Sequence, residues 1–420
     1  LALLAFAAEL LLFTYARGAF GPLVSPVLFL ASSLLFVAAA WRALRDQPFA
    51  WDHRPLGGRA AAWRWVAATA LLLVAFYPRL QAILAQYPVD IKMSDVLPVI
   101  EVYLRRFQNG EQVTAPITNF DYVLPAGYLP LMWMPFLIPD ALNIDYRWVC
   151  FWSFGVGMLV YAYRLGALRP DLYEGAFKLL VPLLLVIYLV GADSHILGLS
   201  IESLVIGYYF VLVAGILSRS TALRATGLIL CLLSRFALVL WVPLYLWLIY
   251  RHEGLKPALW LALLVLAGIL GIYVIPFLSQ DWTVFAQGQE YYTISAVGEW
   301  QNNLDEMGRP THLYRGLGLA AFFHHYISGE LIHRINALRT VHMVASAASV
   351  LVVAAWHWLH RRQLRIDYRY LALLALKINL AIFYAFMQVP YDNLLLLVVF
   401  MSGWVILTLR PAAAPVAPAA

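Results

Sequence analysis

Charge is what this chain lacks. Asp, Glu, Lys and Arg make up only 12% of its 420 residues, about half the usual share of a soluble domain. That is too little polar surface to cover a water-exposed particle of this size, which excludes a soluble globular protein. Cysteine is nearly absent as well. Cys150 and Cys231 both sit inside apolar runs, which excludes a disulfide framework and a cysteine metal site. No HExxH-type spacing occurs, and the adjacent His324 and His325 diverge by about 100° on a helix. Neither an internal repeat nor a signal-peptide cleavage pattern is visible. The net charge of +6 is not gathered into basic clusters interleaved with aromatics, so it does not point to nucleic acid. The chain opens on Leu1 rather than Met, so a preceding segment is expected. The tail PAAAPVAPAA is low in complexity and expected to be disordered.

What is present is apolar: 63% of the residues are hydrophobic. Many of them lie in runs of about 20 residues, enough to cross the hydrocarbon core as a helix. The runs predict spans near 1–16, 22–40, 63–83, 147–165, 177–193, 196–217, 256–277, 339–359, 370–389 and 392–409. The expected fold is an all-α, polytopic membrane protein with these transmembrane helices, a short re-entrant helix pair, and amphipathic helices in its first large loop.

Basic residues orient the spans. Arg42, Arg45, Arg54, Arg59 and Arg64 crowd one loop. Arg164 and Arg169, Arg219 and Arg224, Arg251 and Lys256, and Arg361, Arg362, Arg365 and Arg369 mark four more. With the N-terminus inside, the alternation puts all of them in the cytoplasm, together with the C-terminus. Residues 225–250 break the alternation, since both flanks are basic and the length suffices for one crossing. Two short helices that enter and return, with Arg235 near the apex, resolve the conflict. The other resolution is one ordinary span with a misassigned flank. The long loops 84–146 and 278–338 then face outside, as do the turns GADSHILG and PYDN. Long loops on one face of a helical scaffold are the usual place for chemistry.

The first of these loops carries YPVDIKMSDVLPVIEVYLRRFQNGE, residues 87–111. Ser94 and Asp95 read as a helix start, with Ser94 as cap and Asp95 in the first turn. Val96, Val99, Ile100, Tyr103 and Phe107 recur at helical spacing, which predicts an amphipathic helix lying along the membrane surface. Asp95 is either a helix-start residue or a carboxylate able to take a proton from a hydroxyl. The following segment has prolines at 125, 130, 135 and 139, too many for a clean span. It is expected to dip into the interface and present Asp121, Tyr122 and Tyr128 near Asp95.

In ordered features over residues 63–277 the chain resembles the GT-C-fold integral-membrane glycosyltransferases that use polyprenyl-phosphate sugars. The carrying features are SDV with Asp95, the amphipathic helix ending RFQNGE, and the stretch DYVLPAGYLPLMWMPFLIP. IDYRW with Arg147 and LLSRFALVLWVP with Arg235 complete the set. Where relatives hold an Asp-Asp or Asp-Glu pair, this chain has Asp90 and Asp95 with Lys92 between them, so either acid is a candidate base. The resemblance implies an inner-membrane enzyme with an extracytoplasmic site. It would transfer a sugar with inversion from a polyprenyl phosphate to a hydroxyl of a glycan, glycolipid or protein, without metal or cofactor. Asp95 or Asp90 would be the base, and Arg235 and Arg147 would hold the phosphate.

Further candidates for the substrate site are Glu202, Tyr128, Asp193, His195 and Arg315. Arg235 can instead be a structural partner of Asp193 or Glu202. Lys377 is expected to have a buried structural partner, and Tyr391 and Asp392 either cap a helix or contact sugar. Two other classes of function are a transporter or flippase, and a non-catalytic membrane subunit. The expected organisation is two accessory spans with their loop (1–62), a core (63–277), a second outer loop (278–338), C-terminal spans (339–410) and the tail (411–420).

Overall fold

The structure is a computed structural model that describes residues 1–51, 59–118, 120, 123–124, 127–360 and 365–409. Arg54, Asp121, Tyr122, Pro125, Arg361 and Arg362 lie outside the described residues, as does the side chain of Asp392. Helix α1 (Ala2–Thr14) and α2 (Gly21–Leu44) precede α3 (Arg59–Ala75) and α4 (Tyr77–Gln86). The first long loop holds α5 (Val96–Gln108), α6 (Pro130–Trp133) and α7 (Leu137–Ala141). Then follow α8 (Arg147–Ala167), α9 (Leu172–Gly191), α10 (Ser194–Leu199) and α11 (Glu202–Ile216). Two short helices, α12 (Thr221–Leu232) and α13 (Trp241–Glu253), are separated by an unwound stretch, and α14 (Leu255–Ile269) ends in a π turn. The second long loop carries α15 (Val284–Gln301), α16 (Thr311–Arg315) and α17 (Ala320–Tyr326). The last three are α18 (Leu331–His360), α19 (Tyr368–Ala385) and α20 (Asp392–Thr408). No strand occurs among the described residues.

Seven helices among the described residues are long and apolar enough to cross a bilayer, and four shorter ones are apolar too. The fold is that of an all-helical, multi-pass membrane protein. Burial sorts the helices into layers. In α19 83% of the most apolar window is buried, against 17% in α14 and 22% in α18, so α19 is interior while α14 and α18 face outward. Helix α11 is buried along nearly its whole length. Helices in an apolar medium gain by close backbone approach, which small residues permit. A Cβ at Gly207 would sit 2.4 Å from the Ser153 carbonyl oxygen of α8, and one at Gly227 of α12 would sit 2.4 Å from Leu212 Cα of α11. These two glycines let α8 and α12 close on α11.

Element bounds differ from expectation in a few places. The expected span 196–217 is split, because Ser200 is extended and α11 begins at Glu202. The run 63–83 is interrupted at Phe76, just before Pro78, which opens α4. Helix α18 begins at Leu331, eight residues before the expected 339. Residues 225–250 do form two short helices with Arg235 in the break between them.

The N-terminal pair is fastened to the core by charge. Lys377 Nζ of α19 donates to Glu9 Oε1 at 2.7 Å, and neither side chain has any exposure. Ser402 Oγ donates to Glu9 Oε2 at 2.6 Å, Ser33 Oγ to Oε1, and Lys377 also reaches the Val398 carbonyl. Lys377 therefore has the buried structural partner expected of it. Four helices (α1, α2, α19 and α20) meet at one fully satisfied network.

Removing one partner of a buried pair strands the other charge, at a cost of about 3–5 kcal/mol, whereas removing both is far milder. Lys377→Met is expected to lower the melting temperature of the detergent-solubilised protein steeply. The double variant Glu9→Gln/Lys377→Met is expected to recover most of that loss. Equal losses in the single and double variants would mean that the pair is not what holds α1 to α19.

Candidate functional site

The site is built around the break between α12 and α13. Residues 233–235 leave the helix, and their backbone groups must find partners away from water. The first long loop supplies one: Leu131 N–H donates to the Leu233 carbonyl at 3.0 Å. The Tyr208 hydroxyl of α11 donates to the Leu131 carbonyl at 3.1 Å, so this residue is clamped from both sides. Asn379 of α19 donates to the Ala237 carbonyl at 2.7 Å. The Pro-rich loop is thereby pinned onto the break, and Tyr128, three residues before Leu131, is brought beside Arg235.

Arg235 is 15% exposed and pairs with Glu202, itself 3% exposed at the start of α11. Asn393 at the start of α20 donates to the same Glu202 oxygen at 3.1 Å, and the buried Tyr384 hydroxyl lies against the Arg235 guanidinium. A guanidinium carries five donors, and only Nη2 is given to Glu202. Arg235 thus has the structural partner foreseen as one of two possibilities, and retains donors for an anion.

Asp95 reaches the same cluster from α5. It is half-buried at the helix cap, yet its carboxylate makes no capping bond. Ser94 is not the cap residue either; its Oγ accepts from Val96 N–H at 3.3 Å and donates to the Leu199 carbonyl at 3.1 Å. The helix-start role therefore does not occupy the Asp95 side chain. Tyr103 of α5 accepts a hydrogen bond from Tyr128 N–H at 3.1 Å and its ring stacks on that of Tyr128. The Tyr128 phenol lies within the electrostatic reach of Asp95, Tyr103, Arg235 and Glu202. Burial, then Asp95, raise its pKa, so it stays neutral. Asp95, Tyr128, Arg235 and Glu202 form one cluster.

Most of the other sequence candidates are held by partners of their own. Arg147 is 2% exposed and bonded to Asp145, to the Leu84 and Gly198 carbonyls at 3.0 and 3.1 Å, and to the Tyr87 carbonyl. It ties α8 to the ends of α4 and α10. Asp90 is exposed and accepts from Lys92 N–H at 2.9 Å, which closes a turn. Asp193 pairs with Arg17, accepts from the Tyr188 hydroxyl at 2.6 Å, and has the half-exposed His195 beside it at 3.2 Å. Arg315 is exposed at the end of α16. Among the described residues no group of three His, Cys, Asp or Glu side chains is placed to hold a metal ion.

Asn393 and Tyr384 were not foreseen, because no spacing along the chain links either one to residues 202 or 235. A pair in the second long loop was missed for the same reason. Glu299 Oε2 lies 2.6 Å from His312 Nδ1, and Glu299 Oε1 accepts from the Tyr391 hydroxyl at 3.3 Å. The His312 hydrogen bond holds the Glu299 carboxyl below the usual carboxylate range, against the opposing effect of burial. No family model, curated protein or solved structure matches this chain.

Two outcomes follow from the residues outside the cluster. Arg147→Gln leaves Asp145 and buried carbonyls unpaired, a loss of about 2–3 kcal/mol. It is expected to lower thermal stability, and unchanged melting would remove its structural role. Burial alone would raise the Asp193 carboxyl, but Tyr188, Arg17 and His195 outweigh it and hold the pKa below its ordinary value. The stabilisation is present above that ordinary value and is lost as pH falls through the lowered one. Melting temperature followed from neutral to acid pH is expected to fall less steeply in Asp193→Asn than in the wild type. Parallel curves would contradict this.

Proposed function

We propose that the protein transfers a sugar, with inversion, from a polyprenyl-phosphate donor to an acceptor hydroxyl at the outer face of an inner membrane. The observation that carries this reading is that Leu131 of the first long loop is bonded to the break holding the Arg235–Glu202 pair, while Tyr128 of the same loop is bonded to Tyr103 on the helix that Asp95 caps, so that Tyr128 feels the charges of Asp95, Arg235 and Glu202 together. A carboxylate suited to accept a proton and a cation suited to a phosphate thus share one small site. The acceptor O–H gives its proton to Asp95 as its oxygen attacks the anomeric carbon. The bond from that carbon to the phosphate oxygen breaks on the opposite face. Negative charge grows on the departing phosphate, and an arginine already held in place stabilises it without reorganising. Glu202, braced by Asn393, keeps the guanidinium aimed. No metal takes part in this scheme.

The apolar side chains beside Arg235 suit the lipid. Phe236, Val239 and Leu240 are 53%, 50% and 42% exposed, and a prenyl chain lying along them would bring its phosphate to Arg235. The membrane arrangement that goes with this reading has about ten spans, the α12–α13 pair re-entering from the cytoplasm, and the basic loops inside. The closed Arg235–Glu202 pair is also what a non-catalytic subunit would need, and activity decides between the two.

Purified protein in nanodiscs, incubated with a panel of prenyl-phosphate sugars and with simple glycosides and peptides as acceptors, is expected to release prenyl phosphate. Asp95→Asn is expected to stay folded and lose about 10²-fold or more in rate, the usual weight of a general base. Near-normal turnover in that variant would remove Asp95 from the chemistry. No donor consumption by the wild type would remove the glycosyltransferase reading.

A further inference from the structure

The second long loop is built as one piece around Tyr391. Trp300, 1% exposed at the end of α15, donates to the Gln388 carbonyl at 2.9 Å. The 302–311 turn folds α16 back onto α15 through Thr311 N–H to the Asn303 carbonyl, and through the Arg309–Asp305 ion pair, both at 2.9 Å. Leu319 N–H donates to the Ala385 carbonyl at 2.7 Å. A Cβ at Gly316 or Gly318 would stand 2.1 or 2.2 Å from Pro390 atoms, so only glycine lets this segment lie on the 388–391 turn. The result is a Tyr391 ring that is 42% exposed but fixed. Its hydroxyl end is tied to Glu299, and its ring lies 5.4 Å from that of His312, which the same carboxylate holds at Nδ1.

This ring borders the reacting groups. Two residues further on, Asn393 bonds Glu202, the partner of Arg235. Burial of the hydroxyl end, then Glu299, then Asp95 hold the Tyr391 phenol above its ordinary pKa. We propose that Tyr391, braced by Glu299 and His312, is the platform for the acceptor, and that the acceptor presents a sugar ring rather than a protein side chain. The proposal rests on the glycosyltransferase reading above. An aromatic face is the negative pole of the ring quadrupole and suits the electropositive C–H face of a sugar. The carboxylate and imidazole beside it offer acceptor and donor groups to ring hydroxyls. A peptide acceptor would need backbone partners or side-chain pockets, whereas this surface offers a fixed ring face, which binds at little ordering cost.

The test is saturation-transfer NMR on the full chain in nanodiscs. The probes are methyl α-mannoside, methyl β-glucoside, methyl β-galactoside and a neutral Ser/Thr peptide. At least one glycoside is expected to receive saturation at its ring C–H protons. Tyr391→Leu is expected to cut the effect about fivefold or more, the loss of one stacked contact worth about 1 kcal/mol, and Tyr391→Trp to keep it. If the leucine variant does not fold, irradiating only the aromatic resonances of the wild type must still saturate the sugar. Saturation of the peptide instead of any sugar, no saturation at all, or an unchanged effect in a folded Tyr391→Leu would each overturn the proposal. Donor consumption by the wild type is measured separately, with the three glycosides and the peptide present as acceptors. Its absence defeats the glycosyltransferase reading, whereas its presence beside unaltered Tyr391→Leu binding defeats only the platform.

Discussion

An arginine inside an apolar helix bundle has to be paired, and bare backbone there has to be covered. The stretch between α12 and α13 imposes both demands within three residues. Glu202 meets the first, and Leu131, with Asn379 nearby, meets the second. Each of these groups comes from a different element, so the break dictates how the first long loop, α11 and α19 sit against one another. Asn393 adds α20 through its bond to Glu202. A helix running straight through residues 221–253 would need no cover for its carbonyls at Leu233 and Ala237, only a partner for Arg235.

That constraint explains why polar side chains collect at this place in an otherwise apolar protein. Tyr128 is near Arg235 because Leu131 is clamped to the break, and Asp95 is near Tyr128 because Tyr103 on the same helix stacks on the Tyr128 ring. The second long loop is anchored to the neighbouring turn by buried Trp300 and by glycines against Pro390. By contrast, the ion pairs of Lys377 with Glu9 and of Arg224 with Glu253 join helix to helix, at 2.7 Å each, and their cations are almost wholly buried. The same residue types serve as fasteners in one place and as candidate chemistry in another. What separates them is whether donors remain: Arg147 spends its guanidinium on Asp145 and three carbonyls, while Arg235 gives one nitrogen to Glu202.

Local features of this arrangement were legible in the sequence. Basic residues on both flanks of a stretch long enough for one crossing pointed to the broken helix pair, and helical spacing after Ser94 pointed to α5. These are effects of neighbours along the chain, which periodicity and charge report directly. Long-range partners were not legible. Arg147 and Arg235 look alike in sequence, each an arginine beside aromatic and apolar residues, and only packing shows that three carbonyls converge on the first. Glu299 and His312 are thirteen apart, a spacing that means nothing until the Asp305–Arg309 turn folds one back onto the other. The split of the 196–217 run at Ser200 was hidden because long apolar stretches lie on both sides of Ser200, Glu202 and Ser203 and the whole run has the length of one span.

The central proposal is that Arg235 holds the lipid phosphate while Asp95 stands across the sugar site from it. The most direct measurement is a cryo-electron microscopy map of the protein in nanodiscs loaded with a long-chain polyprenyl monophosphate. The account predicts phosphate density within hydrogen-bond reach of the Arg235 guanidinium, the prenyl chain running past Phe236, Val239 and Leu240, and the Asp95 carboxylate on the open side of the phosphate. A map in which the phosphate lies elsewhere, with the Arg235–Glu202 pair closed and Asp95 turned away, would contradict it.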